Sequence, residues 1–409
     1  MGKTFFEELN SDNLIGIAYK NVHLKRETLA YFVNHGNATI AELGKELNIS
    51  VPKATALISE LIGDEIVKDY GKIESTGGRK PNVYGLVPDS AFFMGVDIKN
   101  SYVRIGLSNI QNTLIKVSEK IPFQLANSEA SFNELCDLVS DFITKAGVPL
   151  VNILGIGINL SGRVNHFTGH SYSFFNFTEE PLSKVLSARL GTKTYLENDS
   201  RAMAYGEFSS DLVNDEKNVL FINIDYGIGL GILLEGSLYY GKSGYSGEFG
   251  HVPIFDNEII CHCGKKGCLE TEASGWALKD MFHQKLNAGF TSILTKKHEQ
   301  GSSISVQDIV DAAKKDDFLS IELIGNVGEK LGRGVAILIN LFNPELVILG
   351  GSLSETKDLI RLPIINAVNK YSLSLANSDT KIKLSQLGDM SGIYGACLLA
   401  RNRSLGILN

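Results

Sequence analysis

The 409-residue sequence predicts an α/β protein of two similar lobes around a cleft, with a small winged helix-turn-helix module in front. Three observations lead there. A pattern of helix, turn, helix and hairpin fills the first 88 residues. A plan of strand hairpin followed by helix then occurs twice. Its strands read as buried and are joined by crossover helices, the pattern of a sheet covered by helices. The length argues for two or three domains, and 44% hydrophobic with 21% charged residues is enough to fill their cores.

The front module is read element by element. Residues 25–36 form a helix, with Leu29, Phe32 and Val33 on one face and Gly36 suited to a left-handed cap. Thr39 opens a second helix, to about Leu47. Its hydroxyl accepts from the Glu42 amide and the Glu42 carboxylate reaches back, a capping box. Ser50 caps a third helix with Pro52 in its first turn, and Leu57, Ile58, Leu61 and Ile62 form its apolar stripe. A hairpin follows, with arms at 66–70 and 83–87 and a loop carrying Gly77, Gly78, Arg79, Lys80 and Pro81. Two short helices and a tight turn place the second helix to enter a DNA groove, with the hairpin as the wing. Bulk charge does not carry this reading, because residues 1–88 hold ten Lys or Arg against eleven Asp or Glu. Placement carries it. Ser50, Lys53, Thr55 and Ser59 lie at the start or on the polar side of the third helix, and Arg79 and Lys80 sit at the wing tip. These are a few phosphate anchors and base readers per subunit. Useful affinity then requires two copies on a two-part site.

Beyond residue 89 the period changes. "FFMGVDIKNSYVRIGLSNI" reads as two strands about a turn at Lys99-Asn100, and "TLIKVSEKIPF" as a third. A helix at roughly 128–146 precedes the strand "ILGIGINL". The plan recurs in "NVLFINIDYGIGLGILLEGSLYYG", in the apolar helix "GEKLGRGVAILINLFN", buried in a lobe or between subunits, and in the buried strand "LVILGG".

Five segments occur in a fixed order: "GVD" in the first lobe, "ENDSRAMAYGE" at 197–207, "GEFGH" at 247–251, "CHCGKKGCLE" at 261–270 and "LFNPELVILGGSLS" at 341–354. Together they resemble the ROK family of repressors, open reading frames and sugar kinases, over nearly all of residues 20–400. The resemblance implies the actin-like, hexokinase-like ATPase fold. It divides the chain into a winged helix-turn-helix at 1–88 and a sugar-binding domain at 89–409. That domain has one lobe of about 89–200 plus the C-terminal helix and another of about 201–390. ROK repressors carry a winged helix in this place, so double-stranded operator DNA is the expected partner.

Three of the five cysteines, Cys261, Cys263 and Cys268, have the spacing C-x-C-x4-C. Thiolates this close can share one zinc, which takes four tetrahedral sulfur or nitrogen ligands. His262 is nearest in sequence but points away from its neighbours; His251, ten residues upstream, has the slack to return. In ROK members the histidine at that place is a ligand, which selects His251. A closed Cys3His site leaves no position for water, so the Zn2+ is expected to be structural. The bland alternative is three reduced thiols in a turn. Cys136 and Cys397 read as small core residues. The resemblance also implies sugar contacts from Asn198, Asp199, Glu248, His251 and Glu270, with Gly162 letting backbone approach the ring. Asn176 is a further candidate.

Asp199 matches the base position of the family's kinases, where it would take the proton of the attacking hydroxyl. The phosphate turns decide against catalysis. The family's D-x-G-G-T appears as Asp97-Ile98-Lys99-Asn100-Ser101, and G-T-G-x-G as Asp225-Tyr226-Gly227-Ile228-Gly229. Phosphate cradles need backbone amides free of side chains. Here Asp225 would repel phosphate and Tyr226 would crowd it; only Gly350 and Gly351, where the family's kinases hold the nucleoside, look unspoiled. The expectation is therefore not an enzyme but a sugar-responsive transcriptional regulator, a repressor of carbohydrate uptake or catabolism genes. Its effector is a sugar or sugar phosphate, and it forms a homodimer or homotetramer. The rivals are an active sugar kinase with an added DNA-binding domain, and a DNA-binding scaffold controlled by a protein. No apolar h-region or membrane-length segment is evident. Five thiols with no disulfide framework suit a reducing, cytoplasmic setting.

Overall fold

The computed structural model describes residues 5–6, 16–72, 81–210 and 212–408. The wing-tip candidates Arg79 and Lys80 lie outside them.

Helix α1 (Gly16–His35) starts nine residues before the start expected at residue 25. Its first turns give no periodic signal, because Val22 is buried while Tyr19 stands exposed. After the two-residue β1 (Ala38–Thr39), α2 (Ile40–Glu46) opens on the capping box. Glu42 N donates to Thr39 Oγ1 at 3.3 Å, and Thr39 N donates to Glu42 Oε2 at 2.8 Å. Helix α3 (Val51–Gly63) has Ser50 at its N-cap position, but that side chain makes no capping bond. The expected Ser50 cap is thus corrected: Pro52, with its fixed φ and no N–H to satisfy, marks the start. Strands β2 (Val67–Lys72) and β3 (Asn82–Leu86) complete a sheet of order β1-β3-β2.

The chain divides into two compact units, Met1–Glu197 with Ala396–Asn409, and Asn198–Gly395. In the first, β4 (Phe92–Ile98) pairs antiparallel with β5 (Tyr102–Asn109) and parallel with β8 (Ile153–Leu160). The segment expected as one third strand is two, β6 (Leu114–Val117) and β7 (Ile121–Pro122). Between them Ser118 takes the Ile105 N–H on its hydroxyl at 2.9 Å and ends the ladder. Helix α4 (Glu129–Ala146) is capped by Ser128. The short β9 (Val164–Asn165) and β10 (His170–Ser171), α5 (Leu182–Leu190) and β11 (Thr194–Asn198) follow. The sheet order is β11-β8-β4-β5-β6, with β7 beside β5.

The second unit repeats this plan. After α6 (Asp199–Phe208), β12 (Val219–Ile224) and β13 (Ile228–Leu234) form a hairpin, with β14 (Ser237–Leu238) at its edge. Helices α7 (Glu270–Ala273), α8 (Gly275–Asn287), α9 (Thr295–Glu299), α10 (Val306–Ala313) and α11 (Phe318–Phe342) lead to β15 (Leu346–Gly350), parallel to β12. Helices α12 (Asp358–Tyr371) and α13 (Ser374–Asp379) precede β16 (Lys381–Leu384), parallel to β15. A hairpin plus a parallel third strand in each unit is the repeat of the actin-like, hexokinase-like fold. Helix α11 is mostly buried, though Ile337 and Leu341 are exposed. Helix α14 (Ser391–Ser404) begins in the second unit and ends in the first.

One apolar cluster joins the front module to the rest of the first unit. Leu29, Phe32, Leu43, Ile58 and Leu61 pack in the same core as Phe93 of β4, Ile110, Ala400 of α14 and Leu405. Cys136 and Cys397 are buried in the first unit, as small core residues should be. Among the described residues no helix is long and apolar enough to cross a membrane.

Candidate functional site

The cysteine turn folds through two glycines with positive φ, Gly264 at 85° and Gly267 at 75°. At Gly267 a side chain would also meet Phe255 O at 2.3 Å. Isolated bridges at Pro253–Cys268 and Ile260–Lys266 fold the segment onto itself. The result gathers one ligand atom each from His251, Cys261, Cys263 and Cys268 within 4.8 Å of one another. Cys263 Sγ lies 3.6 Å from Cys268 Sγ, and Cys261 Sγ lies 3.5 Å from His251 Nδ1. A tetrahedral zinc with bonds of about 2.3 Å to sulfur sets such atoms roughly 3.8 Å apart, so donor set and spacing both fit that metal. Burial pushes the Cys261 thiol up to about 12 and raises the Cys268 thiol as well. A metal bound there would displace the protons of those two thiols. His262 is not in the group; it is exposed, with Nδ1 4.0 Å from Glu270 Oε1.

The histidine has two faces. With Nδ1 toward Cys261, its proton belongs on Nε2, and Nε2 lies 3.9 Å from Glu248 Oε2. At that distance Nε2 faces the Glu248 carboxylate without a direct hydrogen bond to it. Glu248 is half exposed, so its carboxylate can meet a ligand.

Glu270 follows the last cysteine by two residues and opens α7. It is buried, and Ile228 N donates to its Oε2 at 3.0 Å. Two glycines make room for it. A Cβ on Gly227 would stand 2.8 Å from Glu270 Oε2, and one on Gly250 would stand 3.1 Å from the same atom and 2.7 Å from Ile228 O. Gly229 makes room for Ser200, whose Oγ a Cβ would meet at 1.9 Å. The glycines that survive in the turn Asp225–Gly229 thus have a packing reason that involves no phosphate.

The remainder of that turn is filled from within. The Asp225 carboxylate accepts from Ser352 Oγ at 2.9 Å and from Tyr226 N at 2.9 Å. Tyr226 is 45% exposed and stacks on His262 at 6.5 Å between centroids, and His262 meets Trp276 edge-on at 5.1 Å. Burial, then the Asp280 and Glu270 carboxylates, raise the Tyr226 phenol, so it stays neutral. In the first unit, Asp97 is buried with the Lys99 ammonium 3.5 Å away. The lysine that replaces the first motif's glycine caps the motif's own aspartate.

Asn198 and Asp199 stand where β11 becomes α6. Asn198 Oδ1 caps the helix by accepting from Arg201 N at 3.2 Å, and Asp199 Oδ1 accepts from Ser200 N at 2.7 Å. Both carboxylate and amide oxygens are thereby held at a helix N-terminus. Gly162 belongs to the first unit, with φ 84° and Ser173 Oγ 2.3 Å from where its Cβ would be. Asn176 exchanges bonds with Asn127. On α3, Ser50, Thr55 and Ser59 are exposed, while Lys53 is partly buried and Nζ donates to Asn21 Oδ1 at 2.8 Å. Sequence reasoning did not find Ser352, Tyr226 paired with His262, or Trp276. The only signal was that Trp276 is the chain's single tryptophan.

A family model described as the ROK family matches residues 94–403. The chain is 26% identical to the xylose repressor of Bacillus spizizenii, over 99% of this chain and 98% of that protein. It is 25% identical to the DNA-binding transcriptional dual regulator NagC of Escherichia coli K12, over 91% of each. A crystal structure described as a ROK family transcriptional regulator, homolog of the E. coli MLC protein, matches with a TM-score of 0.77 and 26% identity. It covers 95% of this chain and 96% of that one.

Proposed function

The chain belongs to the ROK family, and from that premise we propose that it is a sugar-responsive transcriptional repressor whose kinase-derived domain senses a sugar without phosphorylating it. One observation carries the reading. The Asp225 carboxylate sits in the phosphate turn and takes up the Ser352 hydroxyl and the Tyr226 amide. A triphosphate would have to displace a like charge from donors already engaged.

The residues then divide by role. Residues 1–88 read operator DNA through α3, with Ser50, Lys53, Thr55 and Ser59 at the groove and Arg79 and Lys80 at the wing tip. Asn198, Asp199, Glu248, His251 and Glu270 grip sugar hydroxyls, with Gly162 giving the ring a bare stretch of backbone. His251 Nδ1 and the three cysteines hold one zinc, which supplies no chemistry beyond fixing the turn. The end of that turn at Cys268 sets Glu270, two residues on, and its histidine lies beside Glu248. The protein works as a dimer or tetramer, since each module offers few DNA contacts. A full switch from 99:1 to 1:99 needs about 5.5 kcal/mol of differential affinity. Several hydroxyl bonds at about 1 kcal/mol net each supply part of it.

The test is a mobility-shift titration with DNA from upstream of the protein's own gene, repeated with D-xylose, D-glucose and N-acetyl-D-glucosamine. A specific complex whose affinity one of these sugars changes is the expected result. No specific complex under any condition refutes the reading. Steady ADP production from ATP with any of the three would establish the kinase instead.

A further inference from the structure

We propose that the buried ion pair Glu197–Arg403 is the link through which occupancy of the Asn198–Asp199 turn reaches the DNA-reading helix; this rests on the repressor reading above. Glu197 is the last residue of the first unit and directly precedes the two residues assigned to the sugar. Its Oε2 accepts from Arg403 Nη2 at 2.7 Å, with both side chains almost fully buried. The same guanidinium donates through Nη1 to Leu196 O at 3.1 Å. Arg403 therefore clamps both the backbone and the side chain at the end of β11. A rigid planar fork is the group suited to hold two acceptors at once.

Such a pair is poorly explained as a stability device, because an apolar pair of the same volume serves a core as well or better. What it does provide is stiffness. A ligand that pulls on Asn198 or Asp199 must carry the strand end with it. The strand end must then carry Arg403 or break charged bonds in a dry interior.

Arg403 stands in the last turn of α14, and the chain beyond it runs into the front module. Leu405 is part of that module's apolar core. Gly406 lies so close to Arg26 of α1 that a Cβ would meet its Nε at 2.6 Å. Helix α1 is tied in turn to α3. Lys53 Nζ donates to Asn21 at 2.8 Å, Lys25 Nζ lies 3.0 Å from Glu60, and Leu29 packs with Ile58 and Leu61. Within the first unit, the path from Glu197 to the reading helix is thus contiguous. At the other end of α14, Gly206 and Gly395 bring α6 and α14 into backbone contact; a Cβ on Gly395 would stand 1.9 Å from Ala202 O. Glu207 of α6 also accepts from Leu387 N at 2.9 Å, just before α14 begins. Within the second unit, the start of α14 is thus pinned to α6.

The test replaces the pair by apolar residues of similar length, E197M with R403M, beside the conservative R403K. Each full-length variant is first shown to be folded by circular dichroism. Affinity for the upstream DNA is then measured with and without D-xylose, D-glucose and N-acetyl-D-glucosamine, and sugar affinity separately by calorimetry. The double variant should bind DNA and sugar nearly as the parent does. The sugar-induced change in DNA affinity should fall from about tenfold to less than about twofold. R403K, which keeps the charge but not the fork, should fall between. A merely structural role would lower melting temperature and DNA affinity while leaving that ratio alone. An unchanged ratio in the folded double variant overturns the proposal. If the parent itself shows no sugar-dependent ratio, the repressor reading fails, and hydrogen exchange decides the link. Residues 194–200 and 22–33 should lose protection together in the double variant; loss at 194–200 alone overturns it.

Discussion

A methyl group on Gly227 tests how the Glu270 carboxylate is held. The Cβ of Gly227→Ala would stand 2.8 Å from Glu270 Oε2, where ordinary contact begins at 3.4 Å, so the oxygen must retreat by about 0.6 Å. Gly227 and Ile228 are neighbours, so that retreat stretches the 3.0 Å bond from Ile228 N to about 3.6 Å, outside hydrogen-bond range. A hydrogen bond to a charged, buried acceptor is worth about 1.5–3 kcal/mol. For a unit of this size each kcal/mol shifts the melting temperature by about 2–4 °C, which gives a drop of about 3–12 °C. Under the sugar role proposed for Glu270, sugar affinity should fall about tenfold or more, since the carboxylate would no longer stand where a hydroxyl needs it. Differential scanning fluorimetry and calorimetry read the two effects. Glu270→Gln, which keeps an oxygen for Ile228 but removes the charge, should lose affinity with little change in melting. A Gly227→Ala protein that melts within about 1 °C of the parent and binds sugar equally would refute the argument that this glycine exists for Glu270.

Other perturbations separate the remaining features. Cys268→Ser and His251→Ala should each bring bound zinc, measured by mass spectrometry of the dialysed protein, from one per chain to near none, with a lower melting temperature. Thr39→Ala removes the hydroxyl half of the capping box, the acceptor of the Glu42 amide, while the residue 39 N–H keeps its bond to Glu42, and should cost about 1 kcal/mol in urea unfolding. Ser50→Ala removes no capping bond, so it should leave stability unchanged and weaken DNA binding alone. Burial raises the Glu207 carboxyl above its ordinary 4.5, against bonds from Ser385 and the Leu387 and Gln386 amides. The folded state therefore holds that proton more tightly than the unfolded chain does. Its stabilising effect is complete below 4.5 and is lost as pH rises through the folded value. Melting curves of Glu207→Gln should show a stability advantage over the parent that grows as pH rises above 4.5; a constant difference would refute this.

Much of this was legible without coordinates, and the exceptions share a cause. Thr39 and Glu42 announced their helix because a capping box is a local device, complete within four residues. The cysteine turn was legible for the same reason, three of its four candidate metal donors lying within eight residues. Ser50 misled because its side chain satisfies the pattern without making the bond. The first nine residues of α1 carry no apolar stripe, so periodicity was silent there. Ser118 ended a strand by a contact across the hairpin, which no window of neighbouring residues contains. The glycines at 227 and 229 stand at two glycine positions of the family's second phosphate motif, and the sequence offers no other reason for them. Their actual neighbours, Glu270 and Ser200, are distant in sequence. Arg403 and Glu197, 206 positions apart, were invisible on the same ground.

The shared core of Phe32, Ile58, Phe93 and Leu405 has a practical bearing for anyone wishing to rewire this regulator. Its front portion is not a bead on a string. Transplanting it onto an unrelated sensor would strip apolar side chains of the surface that covers them, so a working chimaera must bring β4 and the closing helix along.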